Sequence, residues 1–286
     1  MRIALIALFF CLSLCCLMSV YSQIPQHNLK ITYIATEGFL LESSTHKVLI
    51  DALFSEGLGY FAVPPQEVIA QIMDCKVPFD NINVYLLTHY HMDHCDPKLI
   101  NEYLSKHPDI PFVASKPSIV FIDGTCFGFI AKKKQFKILT PNINHCISDT
   151  INNIPVKVLG LKHLSYIVNG IDLEENMFNV SYLFEMDGIK IFHSGDADLD
   201  SVRDYLIKNT NWPDSTDIAF LNYFFFTSGE SDLSYLAKAL NPKYIILTHV
   251  PPSLNQEWQA RGNLLRKKFP NILFFVNSMD SLSIKI

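Results

Sequence analysis

Three histidines and one aspartate fall within six residues, in the segment Thr88-His89-Tyr90-His91-Met92-Asp93-His94. On a tight turn, His89 and His91 project to one side, while Asp93 and His94 point to another. Neutral imidazole nitrogens and carboxylate oxygens are the ligands that a borderline metal such as zinc prefers. The alternative is an accidental histidine-rich surface loop, but ligand spacing this dense rarely arises by chance. The segment therefore predicts a metal site.

The metal motif directly follows an apolar run that is typical of a buried strand. Other runs rich in Ile, Val, Leu and Phe predict strands, and amphipathic segments that begin near Pro or Asp predict helices. Because strands alternate with helices in both halves, we expect two sheets packed face to face with helices outside. Predicted strands cover 30–36, 38–42, 47–51, 83–88, 155–161, 179–186, 189–193, 217–221, 244–248, 272–276 and 282–286, and predicted helices cover 65–74, 96–106, 201–208, 232–240 and 255–268.

The two halves of the chain share a faint similarity. Leu86-Leu87-Thr88-His89 resembles Ile246-Leu247-Thr248-His249. Each is an apolar strand that ends in a histidine, so both halves are predicted to deliver a polar side chain from a strand end.

The pattern His-x-His-x-Asp-His resembles the signature of the metallo-β-lactamase superfamily, and further residues match that family in the same order along the chain. The resemblance implies an α+β fold, a four-layer αββα sandwich of two mixed sheets flanked by helices. It implies one metal on His89, His91 and His163, and another on Asp93, His94 and His249. Asp196 would bridge the two ions, which the resemblance identifies as two Zn²⁺ per chain. Asp51 would orient a ligand by hydrogen bonding, although a strand-end turn carboxylate is the alternative.

Three polar residues compete with members of this ligand set or lie next to them. His145 competes with His163 for the third histidine position, but it lacks a strong preceding strand. Asp198 competes with Asp196, which the tight Ser-Gly-Asp turn favours. Strand alternation turns His193 away from the Asp196 side, so we expect it in the core or behind a ligand.

The implied chemistry is hydrolysis by a hydroxide bound between two zinc ions, with Asp93 and Asp196 as catalytic carboxylates. Asp93 would also hold or pass the proton. The sequence is similar to the branch that contains the ascorbate-phosphate lactonase and the N-acylphosphatidylethanolamine phospholipase D, so we expect cleavage of an ester, lactone or phosphodiester. An iron-dependent persulfide dioxygenase and a non-catalytic metal-binding protein of the same fold are the alternatives.

Two segments are candidates for contact with a small-molecule substrate. Residues 222–226 are unusually aromatic and follow a predicted strand, so they form a pocket wall or pack in the core. Residues 165–177 are a candidate rim loop. No cluster of Arg or Lys lies near the motifs, so a highly charged phosphate has no evident clamp.

The composition and the N-terminus set the class of protein. With 49% hydrophobic residues, 18% charged residues and a net charge of −5, the chain is globular and has no basic excess for nucleic acid. Residues 3–20 are uncharged and follow Arg2, while Val20 and Ser22 precede a cleavage site before Gln23. We therefore predict a signal peptide at 1–22, a single domain at 23–286 and a periplasmic or secreted protein. An uncleaved membrane anchor is the alternative.

Export would leave four cysteines in the mature chain. These cysteines allow two disulfides, but free thiols are an equal alternative because a domain of this size needs no cross-link. The four are Cys75, Cys95, Cys126 and Cys146.

Overall fold

The strands assemble into two mixed sheets in the computed structural model, which describes residues 27–209, 216–227, 235 and 238–286. The strands within these residues are β1 (Asn28–Ala35), β2 (Gly38–Glu42), β3 (Lys47–Ile50), β4 (Val84–Leu86), β5 (Phe112–Ala114), β6 (Phe136–Ile138), β7 (Cys146–Ile151), β8 (Ile154–Lys162), β9 (Ile167–Val168), β10 (Ile171–Asp172), β11 (Phe178–Met186), β12 (Ile189–His193), β13 (Ile218–Asn222), β14 (Tyr244–Thr248), β15 (Ile272–Phe274) and β16 (Ser281–Lys285). The described helices are α1 (Gln66–Met73), α2 (Pro97–Lys106), α3 (Lys116–Thr125), α4 (Leu199–Lys208) and α5 (Asn255–Leu265).

The first sheet has the order β16-β1-β2-β3-β4-β5-β6, and the second has the order β15-β14-β13-β12-β11-β8-β7. Each sheet combines an antiparallel part with a parallel part; β3 to β6 are parallel in one, and β12 to β15 are parallel in the other. Strands β9 and β10 form a separate small hairpin. This arrangement confirms the predicted sandwich of two mixed sheets with flanking helices.

Side-chain alternation along the strands produces the layers. In β2, Phe39 and Leu41 belong to the cluster between the sheets, whereas Leu40 packs in a second cluster with α1, α2 and α3. A third cluster joins the second sheet to α4 and α5, where Trp258 is fully buried. Because successive side chains of a strand point to opposite faces, one apolar strand can serve two of these clusters.

Helix caps and short strands account for the differences from the predicted boundaries. Helix α2 begins after Asp96, whose carboxylate accepts hydrogen bonds from two backbone N–H groups, as predicted. Helix α4 begins at Leu199, earlier than predicted, because Asp198 caps it. The elements between residues 112 and 151 were not predicted; β5 and β6 have only three residues each, but α3 has ten and β7 has six. The helix predicted at 232–240 lies mostly outside the described residues.

Two further predictions concern export. The predicted signal peptide at 1–22 lies outside the described residues, and so the domain boundary stays a prediction. Among the residues that the structure describes, no helix has the length and apolar character needed to span a membrane. The four cysteines of the proposed mature chain are free thiols.

Candidate metal centre

The C-terminal ends of six strands converge at one edge of the sandwich. In the first sheet, β3 leads to Asp51 and β4 leads to His89. In the second sheet, β8 leads to His163, β12 leads to Asp196 and β14 leads to His249. Strand β13 ends at Asn222, beside the same edge. Parallel strands place their carboxyl ends together, so residues distant in sequence become neighbours here.

The structure brings the seven predicted ligands together in two groups. Within each group, one potential ligand atom per residue lies within 4.8 Å of the corresponding atoms of the others. One group contains His89, His91, His163 and Asp196, and the other contains Asp93, His94 and His249.

A single oxygen of Asp196 faces both groups. Its Oδ2 atom lies 3.1 Å from His249 Nε2 and 3.6 Å from His94 Nε2 in one group. The same oxygen lies 3.7 Å from His163 Nε2 and 3.9 Å from His89 Nε2 in the other. Such a carboxylate is placed to bridge two cations. The neighbouring Asp198 is not part of either group, because its side chain caps α4.

Two of the histidines, His94 and His163, present the same ring nitrogen, Nε2, to this centre. His94 Nδ1 donates to Asp51 at 2.9 Å, and His163 Nδ1 donates to the Leu164 carbonyl at 2.8 Å. The Nε2 atom of each ring faces Asp196, at 3.6 Å for His94 and 3.7 Å for His163. Hydrogen bonds at the remote nitrogen fix both the tautomer and the orientation of a metal-binding histidine.

Buried polar atoms without partners show that the centre fits metal ions. Among the described residues, Asp93 Oδ1 and the Nε2 atoms of His94 and His163 are buried and have no hydrogen bond, whereas His249 Nε2 lies 3.2 Å from Asp93 Oδ2. Buried polar atoms normally find a partner, because leaving one unpaired costs about 1–3 kcal/mol. Imidazole and carboxylate are suitable donors for zinc or iron. The donor set therefore fits two divalent cations.

The electrostatics of the centre favour positive charge. Burial and the neighbouring His94 hold the pKa of His89 well below its usual value, so this ring stays neutral. Burial would raise the pKa of Asp196, but His249 and His94 outweigh burial and hold that pKa well below its usual value. Burial would lower the pKa of His249, yet Asp196 and Asp93 raise it to about 10. Ionised carboxylates in a buried site attract cations.

The turn that carries Asp196 is held in place by amide side chains. Asn179 Oδ1 accepts from the Asp196 backbone N–H at 3.1 Å, and Asn222 Nδ2 donates to Asp196 Oδ1 at 2.9 Å. Gly195 has a φ of +52°, and a Cβ atom there would lie 2.6 Å from Asn179 Oδ1. Nothing in the sequence assigned either asparagine a role at the metal site, although Asn222 opens the aromatic segment at 222–226.

Asp51 contacts the metal motif directly. Its two oxygens accept hydrogen bonds from the Thr88 N–H at 2.9 Å and the Thr88 hydroxyl at 2.5 Å. The second oxygen also accepts from His94 Nδ1. Asp51 is fully buried and adopts a left-handed φ of 43°, and strained backbone of this kind clusters at functional sites. It therefore orients His94, which is the placement expected for it.

Glu37 is a buried carboxylate that sequence reasoning missed. Thr248 Oγ1 donates to Glu37 Oε1 at 2.7 Å, and His193 Nε2 donates to the Glu37 carbonyl at 3.3 Å. His193 Nδ1 in turn accepts from the Gly195 N–H at 3.1 Å. Burial raises the pKa of Glu37 to about 8, with a further contribution from Asp196. In the sequence, Glu37 is marked only by being the single acidic residue of the apolar stretch at 31–41.

Glu174 is a second missed residue, and it contacts a predicted ligand. Glu174 Oε2 lies 3.0 Å from His91 Nε2. The other nitrogen of that ring, Nδ1, lies 3.0 Å from His89 Nε2 and faces the centre. The segment at 165–177 was predicted as a rim, but nothing in its composition marked Glu174.

Other candidate histidines lie elsewhere. His145 is exposed, and its Nδ1 atom contacts the Ile143 carbonyl at 3.0 Å. His193 is fully buried behind the Asp196 turn, in the position expected from strand alternation. The structure therefore selects His163 over His145 as the neighbour of His89 and His91.

Aromatic rings border the centre. The ring of Phe61 lies 4.0 Å from that of His249, measured between centroids, and Phe224 lies 6.4 Å from the same ring. The other aromatics of the segment at 222–226 are buried in the core against α5. The segment thus serves mainly as core and contributes one partly buried ring to the site.

The chain matches a known protein family over most of its length. The family model described as a beta-lactamase superfamily domain matches residues 30–249. No curated protein sequence matches the chain.

Among solved structures, a possible metal-dependent hydrolase from Veillonella parvula DSM 2008 is 14% identical, with a TM-score of 0.60 over 89% of this chain and 99% of that one. The isothiocyanate hydrolase from Delia radicum gut bacteria is 14% identical, with a TM-score of 0.56 over 90% and 100% of the two chains. CmlA, a diiron β-hydroxylase from Streptomyces venezuelae, is 11% identical, with a TM-score of 0.52 over 91% of this chain and 54% of that one. At these identities the similarity shows the fold.

Proposed function

The chain belongs to the metallo-β-lactamase superfamily, and from this premise we propose that it is a dizinc hydrolase that cleaves an ester, lactone or phosphodiester bond. The observation that supports the proposal is the position of Asp196, whose Oδ2 atom faces histidines of both ligand groups. A non-catalytic relative would be expected to have lost some of these donors. Here all seven predicted ligand positions are filled and lie close together.

The seven predicted ligands would have different roles in the proposed reaction. His89, His91 and His163 would hold one ion, Asp93, His94 and His249 would hold the other, and Asp196 would bridge them. When bound, two divalent ions lower the pKa of a shared water and polarise the scissile bond.

Asp93 is positioned to accept the proton that hydrolysis releases. Burial would raise the pKa of Asp93, but His94 and His249 outweigh burial and lower it, so the carboxylate is ionised. Its Oδ1 atom has no hydrogen-bond partner and can accept a proton, whereas Oδ2 lies 3.2 Å from His249 Nε2. Asp51 would keep the His94 ring in its tautomer throughout.

The test combines metal analysis with a substrate panel. We expect the purified full chain to bind close to two zinc ions, and the zinc-loaded protein to hydrolyse at least one class among lactones, carboxyl esters and phosphodiesters. Saturation at one ion would contradict the dinuclear proposal. A single tightly bound iron, with oxygen consumption on a persulfide substrate, would instead support the dioxygenase alternative.

A further inference from the structure

Apolar side chains stand exposed on two segments near the candidate metal centre. We call residues 165–174, which contain β9 and β10, the rim hairpin, and residues 57–63 the rim loop. In the hairpin, Ile167 is 67% exposed and lies on the same face as its cross-strand partner Asp172, whereas Ile171 lies on the other face. In the loop, Leu58 and Tyr60 are 45% and 58% exposed. Clustered exposed apolar residues beside a polar site mark a binding surface more often than isolated ones do.

Both segments contact predicted metal ligands. Phe61 of the rim loop packs against the His249 ring at 4.0 Å, and His249 belongs to one ligand group. Glu174 of the rim hairpin lies 3.0 Å from His91, which belongs to the other ligand group. The rim loop therefore borders one ligand group, and the rim hairpin borders the other.

Hydrogen bonds hold the rim hairpin in shape. Asp172 Oδ1 accepts from the backbone N–H groups of Tyr166 and Glu174, at 3.1 and 3.0 Å. The Leu173 N–H donates to the Tyr166 carbonyl at 2.9 Å. The apolar side chains are thus presented on an ordered scaffold, which reduces the entropy lost when a ligand binds.

Apart from the proposed metal ions, the described charges near the rim do not favour an anionic ligand. Lys162, a cation at the base of the hairpin, is paired with Asp172 at 3.7 Å. In the part of the chain that the structure describes, no Lys or Arg forms an ion pair with Asp93, Asp196 or Glu174. Recognition of a phosphate group normally uses such cations.

We propose that the rim hairpin and the rim loop bind the uncharged alkyl or acyl substituent of the substrate. The favoured substrate of the proposed hydrolase is then a medium- or long-chain ester or lactone, not a phosphodiester with a charged head. The choice of bond rests on the proposed function. The alkyl site itself rests on the exposed side chains and their contacts with the centre.

The test measures alkyl binding without hydrolysis. Nile red is bound to the zinc-loaded full chain and displaced by 1-alkanols from butanol to decanol. We expect affinity to rise about two- to fourfold with each added CH₂ group, as expected for partial to full burial. The double variant Leu58→Ser/Ile167→Ser, with one replacement in each rim segment, should lose most of this dependence on chain length.

A matched control removes equally exposed aliphatic residues elsewhere. Ile207 on α4 and Leu264 on α5 are 53% and 64% exposed, and neither belongs to the rim. The double variant Ile207→Ser/Leu264→Ser should behave as the unmodified protein does. An equal loss in this control, or no dependence on chain length in the unmodified protein, would overturn the proposal.

Other occupants of the rim give different results. If the unmodified protein is a dimer in sedimentation and the Leu58→Ser/Ile167→Ser variant is a monomer, the rim is a contact between copies and the proposal is wrong. If neutral phosphatidylcholine vesicles bind but free alkanols do not, the rim contacts a membrane surface and the proposal is also wrong. If alkanols bind as expected but no substrate class is cleaved, the alkyl site stands and the proposed hydrolysis fails.

Discussion

Asp196 is the residue on which the dinuclear proposal depends most. The variant Asp196→Asn keeps the volume but removes the charge that faces four histidines. We expect the second zinc ion to bind at least about 100-fold more weakly, since loss of a group that only supports a ligand already costs about 10–100-fold. Zinc titration of the metal-free protein measures this.

Asp198→Asn is the matched control for that variant. Asp198 accepts a hydrogen bond from the Ser201 N–H and caps α4, so its replacement should leave both ions in place. Loss of the second ion in Asp198→Asn, together with its retention in Asp196→Asn, would show that the bridging residue is Asp198 and not Asp196.

Glu174 contacts the predicted ligand His91, so replacement of Glu174 should weaken metal binding through His91. In Glu174→Ala, His91 Nε2 loses its carboxylate neighbour at 3.0 Å. We expect about 10–100-fold weaker zinc binding at the group that contains His91, because outer partners orient ligand rings and raise their basicity. Stability should change little, since both side chains are partly exposed.

Competition with a zinc chelator measures the affinity of this variant, and thermal unfolding checks its stability. Glu175→Ala is the control, since Glu175 is the adjacent exposed acid. Equal zinc affinity in the two variants would show that the contact between Glu174 and His91 does not support the site.

Among the elements, the turn after β12 has the strictest steric requirement. Gly195→Ala would place a Cβ atom 2.6 Å from Asn179 Oδ1 and 2.9 Å from Thr88 Cβ, in a left-handed backbone. The backbone conformation alone costs a residue with a side chain about 1–2 kcal/mol. We therefore expect a clear loss of unfolding free energy, measured by chemical denaturation, and weaker zinc binding because Asp196 shifts.

Gly124→Ala is the control for the turn. Gly124 lies in α3, and a Cβ atom there would meet nothing within 4 Å. The replacement should leave the stability unchanged or raise it by up to about 1 kcal/mol, because alanine favours a helix. If Gly195→Ala were equally harmless, the turn would not be constrained as the geometry indicates.

At the scale of the whole molecule, export is the remaining prediction. An exported protein should begin at or near Gln23, because the small residues Val20 and Ser22 precede the predicted cleavage site by three positions and one. Intact mass or N-terminal sequencing of protein from the native host measures this. A mass that includes residues 1–22 would instead support a membrane anchor.

The sequence by itself determined the local features of this protein. Runs rich in Ile, Val, Leu and Phe predicted most strands of both sheets, and Asp96 and Pro97 predicted the start of α2. The His-x-His-x-Asp-His motif pointed to metal, because its ligands lie within six residues and one turn can gather them. Such patterns are legible because spacing along one strand or turn dictates direction in space.

Only the tertiary structure decided which distant residues meet. Glu37 reaches Thr248, 211 positions away, and Glu174 reaches His91 across the edge of the sandwich. Likewise, only the contact between Glu174 and His91 shows that the exposed rim hairpin lies beside the centre. No local pattern encodes these pairings, because they arise from sheet order and from the packing of one sheet on the other. The physical reason is that sequence spacing specifies direction within an element, whereas proximity between elements depends on the whole fold.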